Sequence, residues 1–238
     1  MIRTVHAATL APAVGPAADS THNPGALSRE RIAGGAVRIL HRGGRDKADL
    51  LLVDLGQGPF VLKDFSAKGT LTRWLGRIQV ARESAAYRRL AGVEGVPRFL
   101  GRVDPWSLAI EYVEGERLPD APIPNAGEIL ARLRALLDGL HRRGVVHNDL
   151  RSRENLLVDR GGRLFVVDLA GALHLEPGGW AHRMLFPALQ AADEAAYLRW
   201  KERLAPGTLT SGERAAARRF ARVRAFWPFN RKRRKDGR

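Results

Sequence analysis

"VVHNDLRSRENLLVD", residues 145–159, sets two apolar runs on either side of a loop of His, Asn, Asp, Arg and Glu. The runs read as short buried strands. A loop between such strands gains nothing structurally from an acid and an amide, because polar groups near a core cost free energy unless they are hydrogen-bonded. Asp149 and Asn155 are therefore the first candidates for chemistry.

Upstream, the spacing predicts the clearest helix of the chain. Asn125 is its N-cap with Glu128 three residues on, Gly144 ends it, and Ile129, Leu130, Leu133, Leu136, Leu137 and Leu140 form an apolar stripe. The Pro-rich "LPDAPIPN" precedes it as a connector. Downstream, "RLFVVDLAG" reads as a strand ending at Asp168, "DEAAYLRWKERL" as a helix, and a last helix starts near Thr210 with Glu213 in a capping box. It runs to about Trp227, and Pro228 breaks it. Nearer the N-terminus, "AVRILHR", "ADLLLVDL" and "PFVLKDF" read as three strands, with "GQG" at 56–58 as a hairpin turn. Leu71 to Leu90 is helical, with Trp74, Leu75, Ile78, Ala85 and Leu90 expected on its buried face. "VPRFLGRVD" and "SLAIEYVEG" make a further strand pair. This order predicts an α+β protein: a small, mostly antiparallel sheet with one helix, then a mainly helical part.

The 238 residues are 45% hydrophobic, enough for one domain or two packed lobes. There is no cysteine, which excludes disulfides and thiolate metal sites and favours a reducing cytoplasm. The seven histidines show no paired helical spacing, which argues against zinc. No apolar run reaches the roughly 18–20 residues needed to span a bilayer. The first 26 residues carry Pro12 and Pro16 in their apolar part and only Arg3 ahead of it, so they read as a flexible tail rather than a secretion signal. Net charge is +15, and Arg214 to Arg238 carries eleven Lys or Arg against Asp236 alone.

Taken singly, Lys63 is a strand lysine, Glu83 a helix acid, and Asp149, Asn155 and Asp168 turn residues. Their order changes the weighing. A lysine closes a strand, a glutamate follows on the next helix, a His-x-Asp loop follows a long helix with an asparagine after it, and an aspartate ends the next strand. Phosphoryl transfer from ATP needs such parts, since catalysis there is mainly positioning and charge balance.

In these segments the chain resembles the protein-kinase-like superfamily, over roughly residues 34–205. "VLKDF" is similar to the strand lysine motif, "ARESAAYRRL" to the helix bearing its glutamate partner, "EYVEG" to the hinge, "HNDLRSREN" to the catalytic loop and "VVDLA" to the magnesium motif. It looks less like a eukaryotic protein kinase and closer to RIO-type atypical kinases and bacterial lipopolysaccharide-core sugar kinases. The resemblance implies a two-lobed kinase-like fold with a compact C-lobe: a tail at 1–30, an N-lobe at 31–118, a C-lobe at 119–209 and a basic helix and tail at 210–238. It implies ATP and Mg²⁺ as cofactors. Lys63 would contact the phosphates and pair with Glu83, and Asp149 would be the base. Arg151 would steady the transferred phosphate, and Asn155 and Asp168 would bind the metal. Glu111 and Val113 would hold the nucleotide at the hinge, and Gly43 and Gly44 would lie in the phosphate-covering loop. His147 would be structural.

The chain also departs from the pattern. Glu154 stands at the usual metal-ligand spacing from Asp149 and Asn155 comes one residue later, so either could be the ligand; the register of "NLLVD" favours Asn155. Asn148 stands where many protein kinases carry an arginine that senses a phosphorylated loop, and Asp-Leu-Ala replaces Asp-Phe-Gly. The Gly43–Gly44 loop has no G-x-G-x-x-G, and only 70 residues follow Asp168. The acceptor is expected to be a protein Ser/Thr hydroxyl or a sugar hydroxyl of an envelope glycolipid, and the rival reading is a non-catalytic kinase-like adaptor. In the last helix Ala216, Phe220, Val223 and Trp227 share one side and arginines crowd the others. That pattern at 210–238 suits either packing on the C-lobe or an anionic membrane surface at the inner face of the cytoplasmic membrane, where each nearby cation adds about 1 kcal/mol. Nucleic acid ranks third, because no recognition motif accompanies the charge. The protein is expected to act as a monomer.

Overall fold

The computed structural model describes residues 27–225. The parts of the two tails at 1–26 and 226–238, with Trp227, Phe229 and "RKRRK", lie outside the described residues. The chain divides into two compact units. The first comprises residues up to Ser84 together with Arg98–Tyr112, and the second comprises Ala85–Pro97 and everything from Val113 on.

The first unit is an antiparallel sheet of five strands in the order β1-β2-β3-β5-β4: β1 Ala36–His41, β2 Asp49–Asp54, β3 Pro59–Asp64, β4 Phe99–Asp104 and β5 Ser107–Glu111. The turn at 56–58 joins β2 to β3 as expected, with Gly56 and Gly58 at positive φ and the Gly56 N–H donating to the Asp54 carboxylate at 2.8 Å. Period-two alternation sends successive β3 side chains to opposite faces. Phe60 and Leu62 join Leu27, Ile32, Val53 and Ala109 in a core on one face. Ile32 belongs to a one-turn helix, α1 Arg29–Ala33, capped by Ser28. The expected tail boundary at residue 30 therefore lies too far along. Arg29 is part of the fold, donating to both Asp64 oxygens at 2.8 and 2.9 Å and to Asp104 at 2.5 Å.

α2, Thr70–Arg89, corrects the first half of the expected helix face, while Ala85 is half-buried and Leu90, just past the helix end, is buried. Leu71, Trp74, Leu75 and Ile78 are exposed, whereas Gly76, Val80, Glu83 and Ser84 are buried. The large apolar residues misled because the inward face is built on a small residue and a charged one. A Cβ at Gly76 would lie 2.5 Å from the Phe65 ring, so the glycine is what lets the helix approach.

In the second unit α3, Ala126–Arg142, is capped as expected, with Asn125 accepting from the Glu128 N–H at 3.2 Å, and buries its whole leucine stripe. The two runs of the opening stretch do not pair with each other. β7 (Val145–Val146) pairs with β10 (Leu173–His174), while β8 (Leu156–Asp159) lies between β6 (Gly115–Arg117) and β9 (Leu164–Val166). The β6–β8 pairing draws residues 113–118 into the second unit, so the division falls between Tyr112 and Val113 rather than after 118. The segment before β4 joins it too, through the Val166 N–H donating to the Gly95 carbonyl at 2.8 Å. α4 spans Trp180–Leu204, starting well before "DEAAYLRWKERL" and continuing through Pro187. α5, Ser211–Ala225, opens with the expected capping box: the Thr210 hydroxyl accepts from the Glu213 N–H, and Glu213 accepts from the Thr210 N–H. Among the described residues no helix is long and apolar enough to cross a membrane.

Candidate active site

In the first unit, Lys63 ends up on the α2 side of the sheet and Asp64 on the α1 side. Lys63 Nζ donates to both Glu83 carboxylate oxygens at 2.9 Å, and both side chains are buried. Position 63 sits in a central strand, paired with Leu50 of β2 and Leu108 of β5, so its backbone is fixed from two sides. Burial works to raise the pKa of Asp64, but the hydrogen bonds and charge of Arg29, with the Ser66 N–H, hold it below the usual carboxylate range. The end of the lysine strand is thus clamped by a permanent charge pair.

The Gly43–Gly44 loop is tied to the start of α2. The Asp49 carboxylate accepts from the Gly43 N–H at 2.8 Å and from Lys68 Nζ at 2.7 Å, while Lys68 also donates to the Gly43 carbonyl at 3.1 Å. A Cβ at Gly43 would lie 2.2 Å from the Ala48 carbonyl oxygen, so only glycine fits. A cavity of about 470 Å³ opens beside this loop, lined by Gly43, Gly44, Arg45, Lys68, Gly69 and Thr72. Lys68 and Asp49 escaped the sequence reading, since neither belongs to a recognisable spacing. Glu111 closes β5 and accepts from the Arg98 N–H at 3.0 Å; Val113, two residues on, already belongs to the second unit.

In the second unit the polar loop folds around buried His147. Asp149 N–H donates to His147 Nδ1 at 3.3 Å, and His147 Nε2 contacts the Val167 carbonyl at 3.2 Å. Those partners require Nδ1 bare and Nε2 protonated, a neutral ring. Burial pushes the His147 pKa down, against the opposing charge of Asp193, the Val167 carbonyl and the charges of Asp168 and Asp149. Asn155, also buried, donates from Nδ2 to the Asp149 backbone oxygen at 2.9 Å and to its carboxylate at 3.3 Å. The Asn155 carbonyl accepts from the Val167 N–H at 2.9 Å, next to Asp168. The loop therefore gathers Asp149, Asn155 and Asp168 around one histidine. Glu154 is exposed, and it is Asn155 that lies against Asp149; Arg151 is half-buried in the turn after it.

Among the described residues only two non-glycine residues have positive φ, Asn148 at 65° and Asp168 at 64°. Asn and Asp tolerate this region best, and such strain concentrates at functional sites. What holds Asn148 there is Asp193 of α4, fully buried. Its carboxylate accepts from the His147 N–H and the Asn148 N–H, both at 2.8 Å, and meets His141 Nε2 at 3.2 Å. Trp200 of the same helix donates to the Leu150 carbonyl at 2.9 Å. Sequence reasoning missed both, because they lie 45 to 50 residues along the chain from the backbone groups they hold.

With Nδ2 committed to Asp149, Asn155 and Asp168 would offer a metal only oxygen donors, an amide and a carboxylate. That suits Mg²⁺, which takes one or two carboxylates and completes its shell from water and phosphate. Among the described residues no group of three or more His, Asp or Glu side chains is placed to hold a metal ion.

Residues 55–177 match the APH phosphotransferase enzyme family. A protein of Oryza sativa subsp. japonica named as a CBL-interacting protein kinase is 42% identical over 85 residues, covering 32% of this chain and 21% of that one. Mouse (Mus musculus) myotonin-protein kinase is 28% identical over 123 residues, covering 52% and 18%. The chain thus spans about a fifth of the length of these relatives. Among solved structures, the Rio2 kinase of Chaetomium thermophilum has a TM-score of 0.58 at 17% identity, covering 77% of this chain and 62% of that one. Its ADP/Mg²⁺–phosphoaspartate complex has a TM-score of 0.56, with coverage of 77% and 60%. The fold is protein-kinase-like, and the family match takes in Lys63, Glu83, Asp149, Asn155 and Asp168: this chain belongs to the APH phosphotransferase enzyme family.

Proposed function

We propose that the protein transfers the γ-phosphoryl group of Mg·ATP to a hydroxyl acceptor, a Ser or Thr of a protein in the first instance. The carrying observation is the buried Lys63–Glu83 pair. Burying two charges costs several kcal/mol per ion before their attraction offsets it, and a cation aimed at phosphate gives that cost a purpose. In this reading Lys63 neutralises the triphosphate and Glu83 keeps the ammonium in place. Asp149, steadied by Asn155, orients the acceptor hydroxyl and takes its proton. Asn155 and Asp168 hold the magnesium, which when bound neutralises the phosphate oxygens. Arg151 balances charge on the transferred group, Gly43 and Gly44 cover the phosphates, and Glu111 and Val113 contact the base. The neutral His147 organises the loop and does not shuttle protons.

The partial likeness to two relatives named as protein kinases supports the protein acceptor; a sugar hydroxyl of a lipopolysaccharide-core precursor uses the same chemistry. The cysteine-free composition supports a cytoplasmic setting. The test is thermal and kinetic. Mg·ATP is expected to raise Tm, Asp168→Ala to remove that gain, and Asp149→Asn to abolish ATP turnover while keeping the nucleotide-dependent shift. A wild-type chain that gains no stability and turns over no ATP with protein or sugar acceptors is an adaptor, and the kinase reading fails.

A further inference from the structure

We propose that the outer face of α2, formed by Leu71, Trp74, Leu75 and Ile78, is a docking surface for an anionic phospholipid bilayer. This inference does not depend on the catalytic reading. The four side chains recur at i, i+3, i+4 and i+7, so they stand in one line along the helix. They are 72, 61, 52 and 43% exposed, while the opposite face of the same helix is buried on the sheet. An aligned apolar stripe on a water-facing helix differs from scattered surface leucines and marks an interaction surface.

Charge identifies the occupant. Arg82 continues the line one turn on and Arg77 flanks it, and both are exposed. Between Thr70 and Ser84 the helix has a single acid, Glu83, and that one is buried against Lys63. The neighbouring loop adds Arg42, Arg45 and Lys47 against Asp46, and it is held beside α2 by the Thr72 hydroxyl donating to the Arg45 carbonyl at 2.9 Å. A protruding row of Trp, Leu and Ile in a cationic field has the composition of an interfacial helix, whose aromatic and aliphatic groups enter the headgroup boundary while arginines meet anionic lipid. A bilayer accepts such a convex row without a matching groove. The +15 charge of the whole chain favours approach to the same surface.

The experiment is flotation of the full chain with vesicles of phosphatidylcholine, alone or with roughly a third phosphatidylglycerol. Wild type is expected to float with the anionic vesicles and not with the neutral ones. Trp74→Ser/Ile78→Ser is expected to lower the bound fraction roughly tenfold at unchanged Tm. Leu71→Ser, at the most exposed position, provides a second variant should the double one unfold. Val37→Ser/Ile39→Ser, on exposed β1 positions, is expected to float like wild type. Binding of the α2 variants equal to wild type overturns the proposal and leaves residues 210–238 as the membrane element. Absence of wild-type flotation overturns it in favour of an acidic protein partner. A vesicle-free dimer that the double substitution dissolves overturns it in favour of a second copy.

Discussion

The two units bury charge in opposite ways. In the first unit an ammonium is set against a carboxylate, Lys63 on Glu83, between a central strand and a helix. In the second unit the deepest carboxylate, Asp193, meets backbone N–H groups and a histidine instead. The first arrangement fixes where one side chain ends. The second fixes a backbone, holding Asn148 at positive φ and so setting the direction in which Asp149 leaves the loop. A lysine tip needs a counter-charge to stay extended, whereas a base that must meet a hydroxyl needs its main chain held still.

The comparison breaks hardest at Asp193. Asp193→Ala leaves the buried His147 N–H and the part-buried Asn148 N–H without acceptors, at about 1–3 kcal/mol for a fully buried group, so a loss of about 3 kcal/mol is expected in chemical denaturation. Asp193→Asn keeps one good acceptor and is expected to cost roughly half as much. Equal losses for the two variants would mean that the negative charge, not the accepted hydrogen bonds, holds the loop. Of similar size is Lys63→Met, which strands Glu83 in a site where it is 1% exposed and is expected to cost about 3 kcal/mol. Adding Glu83→Leu is expected to restore most of that, since a buried pair is often replaceable by apolar groups. Asp193 has no such rescue, because its partners are backbone groups that no substitution removes.

This difference also explains what the sequence could reveal. The Lys63–Glu83 pair was legible because strand and helix are consecutive, and the elements around them have plain periods. The leucine stripe of α3, the N-cap at Asn125 and the capping box at Thr210 were legible for the same local reason. Asp193 was not, because a carboxylate that accepts from main chain leaves no partner residue type to look for. The inward face of α2 misread because the rule that apolar means inside fails where Gly76 permits close approach and Glu83 must reach a lysine. Asn148 was read as a missing arginine, although its tolerance of positive φ was the informative property. Between Glu154 and Asn155 spacing alone could not decide; in the structure Asn155 is buried against Asp149 and Glu154 is exposed.

The smallest expected effect sharpens the comparison from inside the second unit. If that loop is held by neutral hydrogen bonds rather than by an ion pair, His147 must stay uncharged in the folded protein. Burial depresses its pKa while the unfolded chain keeps the ordinary value of about 6.5. Between those two values the unfolded chain binds more protons than the folded one, so stability is full above pH about 6.5 and falls as pH drops toward the folded pKa. Tm measured from neutral to mildly acidic pH is expected to decline, and His147→Gln, which has no titrating ring, is expected to start lower but lose less over the same interval. A His147→Gln profile parallel to wild type would mean that the ring takes up its proton as readily in the folded loop as in the unfolded chain, and that burial does not hold it neutral.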